Sequence, residues 1–148
     1  MLGLEKIYTP EVIKRSQDET NRTSIPNANR FAERSNEQCG DKIAVQIFKR
    51  NDGVIAGAAF SGKGCILSQA SASMMIDLIR GKTVEEARNI VGKFMLMMGG
   101  AKIDEETEKE LGDVVNFHDV CTALKSRTPC VTLAWQTLMD ALENETEE

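Results

Sequence analysis

With 148 residues, 41% of them hydrophobic and 28% charged, the chain is long enough to bury one core. We expect a single domain over residues 1–148 with a flexible acidic tail at 143–148. The formal net charge of −5 disfavours a nucleic-acid partner, because such binding relies on clustered Lys and Arg. No apolar run approaches the ~20 residues that span a bilayer, and the first residues lack the features of a signal peptide. We therefore expect a cytoplasmic protein without membrane association.

The first half of the chain predicts one helix followed by β-structure. Apolar residues at helical spacing in 5–19, with Pro10 suited to a first turn, predict an N-terminal helix. The polar stretch that follows reads as loop, with a short strand possible at 29–34. Alternating apolar residues at 43–48, the turn sequence Asn-Asp-Gly, and a second apolar run at 54–62 predict an antiparallel β-hairpin.

The second half of the chain predicts several helices. A helical pattern runs from Ser68 until Gly81 ends it, and residues 83–86 form a capping box that begins the next helix. A short charged helix and one or two further helical turns are expected before the closing helix, which Thr128 can cap with Pro129 at its first position. These elements indicate an α+β fold in which a small antiparallel sheet of about three strands packs against several helices.

Three of the four cysteines occupy the boundaries of these elements. Cys39 precedes the first hairpin strand, Cys65 lies between the second strand and the next helix, and Cys130 is the second residue of the closing helix. A reducing cytoplasm disfavours disulfides, which leaves metal ligation, thiol chemistry or plain burial. The free amides and positive dipole of a helix N-terminus favour a thiolate. We therefore expect Cys65 and Cys130 to be activated.

Asp41 follows Cys39 with only Gly40 between them. In extended backbone, residues i and i+2 point to the same side, so the thiol and the carboxylate can converge on one object. Three sulfur atoms and one carboxylate oxygen make a plausible tetrahedral zinc site. The chain has no close CxxC pair, and buried cysteines beside a surface aspartate remain an equal alternative from the residues alone.

Three motifs in order carry a family resemblance: "CGD", "DGVIAGAAFSGKGCILSQASASMM" and "RTPCVTLAWQTL". They resemble the U-type iron-sulfur cluster assembly family, the IscU and NifU-like scaffolds, and most closely its SufU branch. The resemblance implies this α+β fold and makes Cys39, Asp41, Cys65 and Cys130 the metal ligands. Pro129 departs from it, because the scaffold branch has His there and the SufU branch usually has Lys. The Leu-Pro-Pro-Val-Lys stretch of the scaffold branch is also absent.

A SufU-like function is what the resemblance implies. Such proteins take sulfur from a cysteine desulfurase of the SufS type, with Zn²⁺ at the site, and pass it to downstream iron-sulfur assembly proteins or apo-acceptors. Cys39 would be the sulfur acceptor, which makes the chain sulfurtransferase-like without deciding whether it is an enzyme. In one alternative, the same four residues hold a transient [2Fe-2S] cluster built from Fe²⁺. In another, the chain is a structural zinc protein or an interaction module.

Several other residues are weighed and left out of the site. His118 and Cys121 share a helical face, yet a core cysteine beside a partly buried histidine is the preferred interpretation. Lys63 is either an ordinary solvated side chain or a charge that steadies the thiolates. The methionines near residues 95–98 fit core packing.

Overall fold

A three-stranded antiparallel sheet forms one layer of the fold. The computed structural model describes residues 4–38 and 40–143. Strands β1 (Arg30–Asn36), β2 (Asp41–Lys49) and β3 (Ile55–Lys63) lie in the order β1-β2-β3, so β2 is central. The predicted hairpin is confirmed, and the possible strand at 29–34 is β1. Alternate residues of β2, Ile43 and Ile47 among them, are fully buried and form the core side of the sheet.

Helices make up the rest of the described chain. They are α1 (Leu4–Ile7), α2 (Pro10–Gln17), α3 (Ile66–Ile79), α4 (Val84–Met98), α5 (Glu105–Leu111), α6 (His118–Ala123) and α7 (Thr128–Glu143), with 3₁₀ turns at Gly112–Phe117 and Lys125–Arg127. None of the helices in residues 4–38 and 40–143 is long and apolar enough to cross a membrane. Of the expected acidic tail, residue 143 ends α7, and 144–148 lie outside the described residues.

The prediction of an N-terminal helix with Pro10 in its first turn is confirmed by α2, but the expectation of one helix over 5–19 is wrong, because a separate helix, α1, precedes it. The Thr9 hydroxyl accepts a hydrogen bond of 3.1 Å from the Val12 amide and so caps a new helix. Pro10 takes the first position of that helix, where its missing N–H costs nothing. The capping box of α4 is confirmed, since the Thr83 hydroxyl accepts from the Glu86 amide and the Glu86 carboxylate accepts from the Thr83 amide.

Helices α3 and α7 pack against each other in the core and are joined there by a polar contact. The Trp135 indole N–H donates to the Ser71 hydroxyl at 2.9 Å, and that hydroxyl donates to the Val131 carbonyl at 2.7 Å. Trp135 also stacks on Phe94 of α4, with 3.9 Å between ring centroids. All these groups are buried, so the contact fixes how α7 lies against α3. α7 packs in turn against β1 and β2.

Ser71→Ala should lower the free energy of unfolding by about 1–3 kcal/mol, because it leaves the buried Trp135 N–H without an acceptor. Chemical denaturation measures this change. Ser73→Ala is the matched control, since Ser73 is equally buried on the same helix and its hydroxyl has no partner in the described structure. Equal destabilisation by the two variants would show that the hydroxyl of Ser71 contributes nothing special.

Candidate metal centre

Three elements bring metal-ligating side chains to one point. Asp41 begins β2, Cys65 is the N-cap residue of α3, and Cys130 lies in the first turn of α7. One ligand atom from each of the three lies within 4.8 Å of the other two. Among residues 4–38 and 40–143 this is the one group of three or more His, Cys, Asp or Glu side chains with such spacing. Asp41 and Cys130 are buried and Cys65 is partly exposed, so the site opens on the Cys65 side.

The Asp41 carboxylate has one oxygen occupied and one without a partner. Its Oδ1 accepts a hydrogen bond of 3.0 Å from the Cys65 backbone N–H. Its Oδ2 is buried and accepts no hydrogen bond within the described ranges. An ionised oxygen buried in this way is costly unless a cation or a donor meets it. Asp41 is 99% buried and lies close to two thiols. A buried carboxylate beside thiols is the environment expected for a metal ligand.

Two glycines let the strand end approach the site. Gly62 has φ +120°, and a side chain there would collide with the backbone of Lys42. At Gly64, a Cβ atom would collide with the Ser68 hydroxyl and with Oδ1 of Asp41. The group that the backbone approaches at Gly64 is therefore the site's own carboxylate.

Cys39 lies outside the described residues. The chain passes from Asn36 at the end of β1 to Asp41 at the start of β2 through residues 37–40. The expectation of extended backbone from Cys39 to Asp41 is wrong at Gly40, whose φ of +72° belongs to a left-handed turn. The turn joins β1 to β2, and the Gly40 amide donates a hydrogen bond to the Asn36 carbonyl there. Membership of Cys39 in the ligand set stays a prediction.

The start of α7 also differs from the expectation. Thr128 is not an N-cap, because its backbone is helical and its amide donates to Lys125 of the preceding 3₁₀ turn. The helix therefore runs directly out of that turn. Pro129 is exposed, and Cys130 is fully buried in the first helical turn. The prediction that Cys65 and Cys130 lie at helix starts is confirmed.

Arg127 and Tyr8 also border the sulfur atoms. The Arg127 guanidinium donates to Cys130 Sγ at 3.9 Å, and this bond raises the pKa of Arg127. Burial raises the pKa of Tyr8; the nearby Cys65 and Cys130 sulfurs raise it further, and Arg127 opposes them. Arg127 was detectable from the sequence only as part of the third motif, and nothing in the sequence singled out Tyr8.

The residues left out of the site do not join it. Cys121 is buried, and its thiol donates to the His118 carbonyl at 3.0 Å. It lines a cavity of about 800 Å³ together with Lys125, Thr128 and Pro129. Within the described part of the chain, neither His118 nor Cys121 belongs to the group of metal-ligating atoms. Lys63 is exposed at the end of β3 and forms no ion pair with any described residue.

The donor set fits zinc. Thiolate sulfur and carboxylate oxygen are both zinc ligands, and zinc imposes no geometry through its d electrons. Asp41, Cys65 and Cys130 would supply three of the four ligands of a tetrahedral site, and the oxygen without a partner leaves the Asp41 carboxylate able to accept a metal ion. Sulfur ligands also suit iron-sulfur clusters, so the donor set alone allows either group.

Comparison with known proteins agrees with this fold and shows the family. The family model of the NifU-like N-terminal domain matches residues 7–146. A relative from Thermotoga maritima, named iron-sulfur cluster assembly scaffold protein IscU, is 33% identical over 93% of this chain and 93% of its own. Zinc-dependent sulfurtransferase SufU from Bacillus subtilis is 30% identical over 97% of this chain and 94% of its own.

A solved structure agrees as well. The crystal structure of a putative iron-sulfur cluster assembly scaffold protein for the SUF system from Fervidobacterium islandicum AW-1 superposes with a TM-score of 0.85 at 34% identity. The superposition covers 95% of this chain and 99% of that one. A small antiparallel sheet with a thiol-carboxylate site at its end thus defines a U-type iron-sulfur cluster assembly protein. The chain belongs to the NifU-like N-terminal domain family, near its SufU members.

Cys65→Ser and Cys130→Ser should each reduce bound zinc well below one ion per chain, because a hydroxyl is a much poorer zinc ligand than a thiolate. Elemental analysis of the purified variants measures the metal. Cys121→Ser is the control and should keep the wild-type content. Full zinc content in the Cys65 and Cys130 variants would contradict the site.

Proposed function

We propose that the chain is a zinc-dependent sulfur acceptor that takes persulfide sulfur from a cysteine desulfurase of the SufS type for iron-sulfur cluster assembly. The observation that carries the proposal is the group of Asp41, Cys65 and Cys130, whose ligand atoms lie within 4.8 Å of one another. The name and full-length similarity of the Bacillus subtilis relative support zinc and sulfur transfer in particular. Cys39 completes the ligand set in this proposal.

The ligands have separate tasks in this function. Bound zinc would hold the thiols in the deprotonated, nucleophilic form and organise ligands from distant parts of the chain. Asp41 offers a hard oxygen, which binds zinc less strongly than thiolate and is therefore the easier ligand to replace. The Arg127 guanidinium, which donates to Cys130 Sγ, steadies negative charge on that sulfur when the ligands rearrange.

Sulfur transfer itself is a thiol-persulfide exchange. The Cys39 thiolate attacks the outer sulfur of the desulfurase persulfide and forms a new S–S bond. The S–S bond of the enzyme breaks, and its cysteine leaves as a thiolate, so no external oxidant or reductant is needed. The chain then carries the sulfur as a persulfide on Cys39 and delivers it to downstream assembly proteins or apo-acceptors. Cys65 lies on the open side of the site, where a docked partner gains access.

A scaffold for a transient [2Fe-2S] cluster is the second candidate function. The names of the Thermotoga maritima relative and of the Fervidobacterium islandicum structure favour it, and the same ligands suit iron. Pro129 stands where the scaffold branch has a further ligand, which favours the zinc proposal for this chain.

Cys39→Ser should abolish the stimulation of a SufS-type desulfurase by this protein, because serine cannot accept sulfane sulfur. The alanine or sulfide produced per minute from cysteine measures the stimulation. Cys121→Ser is the control and should stimulate like wild type, since Cys121 lies outside the site. Circular dichroism checks that both variants fold, and retained stimulation by Cys39→Ser would exclude Cys39 as the acceptor.

Anaerobic reconstitution with Fe²⁺, cysteine and desulfurase should leave the zinc-loaded wild-type protein without a stable visible absorption band. This outcome is expected because zinc occupies the ligands that a cluster needs. Absorption in the visible range, followed by transfer of the cluster to an apo-ferredoxin, would instead support the scaffold function. A sample from which zinc has been removed is the control, because its ligands are free to bind iron.

A further inference from the structure

The carboxylate of Asp41 is held by a small network around Cys65, the N-cap residue of α3. Its Oδ1 accepts the Cys65 N–H at 3.0 Å. On the other side of the same residue, the Cys65 carbonyl accepts the Ser68 hydroxyl at 3.2 Å and the Gln69 amide at 3.1 Å. Cys65 is therefore held at both its amide and its carbonyl, and this orientation directs its N–H at Asp41.

Ser68 and Gly64 enclose the carboxylate from two sides. Ser68 is fully buried on α3. A Cβ atom built on Gly64 would collide with Ser68 Oγ and with Asp41 Oδ1, so both oxygens border the same small space. A side chain at residue 64 would fill that space. Because residue 64 is glycine, Oδ1 can stay where it accepts the hydrogen bond from the Cys65 amide. The φ of Gly64 lies outside the left-handed region, so the local requirement for glycine there is one of space.

This network distinguishes the two oxygens of one carboxylate. Oδ1 is engaged by the amide, while Oδ2 is buried and accepts nothing from the described part of the chain. A carboxylate free to rotate offers a metal both oxygens, whereas one fixed in this way offers a single oxygen. Groups that orient a ligand without touching the metal commonly change metal affinity by about 10–100-fold.

We propose that Ser68 and Gly64 are positioning residues that restrict Asp41 to one-oxygen ligation of the metal. Ser68 fixes the Cys65 carbonyl, the Cys65 amide fixes Oδ1, and Gly64 leaves the room in which these groups meet. Oδ2 alone then faces the metal, which makes Asp41 a defined and replaceable ligand. This inference rests on the metal site of the proposed function and adds how the chain sets the strength of that site.

The test is metal binding by Ser68→Ala and Gly64→Ala. Both variants should bind Zn²⁺ about 10–100-fold more weakly in competition with a chromophoric chelator. With Co²⁺ in place of Zn²⁺, both should show weaker and shifted visible bands, because a second carboxylate oxygen raises the coordination number above four. A purely structural role for Ser68 would lower stability without changing the Co²⁺ spectrum.

Ser73→Ala is the matched control. Ser73 lies on the same helix, is fully buried, and its hydroxyl has no partner in the described structure. It should therefore leave Zn²⁺ affinity and the Co²⁺ spectrum unchanged. Thermal unfolding of the metal-free proteins separates loss of fold from loss of affinity. If Ser68→Ala does not fold, Gly64→Ala decides the question alone, because it displaces only the ends of side chains.

Two results would overturn the positioning role. The first is a Ser68→Ala or Gly64→Ala variant that folds and binds both metals as wild type does. The second is a Ser73→Ala control that weakens binding equally, which would assign the effect to packing of α3. Failure of wild type to bind Zn²⁺ would instead remove the proposed function itself, so the two failures are distinguishable.

Discussion

The hydrogen bond from the Cys65 amide to the Asp41 carboxylate is the contact on which the site depends. It joins the start of β2 to the N-cap of α3, two points that are far apart in the sequence and are brought together by the β2-β3 hairpin. One bond thus satisfies a backbone donor at a helix start and orients an acid that would otherwise be buried at a cost. The Asp41 carboxylate is thereby held where one of its oxygens lies within 4.8 Å of the sulfur atoms of Cys65 and Cys130.

The third ligand depends on how two helices pack. Cys130 reaches the site because α7 packs against α3, and the bonds from Trp135 to Ser71 and from Ser71 to Val131 fix that packing. Buried polar contacts of this kind specify one arrangement where purely apolar packing tolerates several. The core therefore contributes to function by setting the distance between two thiols that the sequence separates by 64 intervening residues.

Local patterns predicted most of the fold, and tertiary contacts account for what they missed. The hairpin, the capping box of α4 and the helix-start positions of Cys65 and Cys130 follow from neighbouring residues, and the structure has all of them. The sequence predicted Thr128 as the N-cap of the closing helix. This prediction failed because no sequence pattern reveals the 3₁₀ turn that runs directly into α7. Tyr8 borders the site only through the docking of the N-terminal segment, which the spacing of residues in the chain does not reveal. The motifs identified the family and the candidate ligands, whereas the arrangement of Ser68, Gly64 and Asp41 is visible only in three dimensions.

Native mass spectrometry of the anaerobically purified protein, before and after incubation with a SufS-type desulfurase and cysteine, tests the central claim most directly. The account predicts one zinc ion per chain, and one added sulfur atom that peptide mapping locates on Cys39. Iron with inorganic sulfide in place of zinc, or a zinc-loaded chain that acquires no sulfur from the desulfurase, would contradict it.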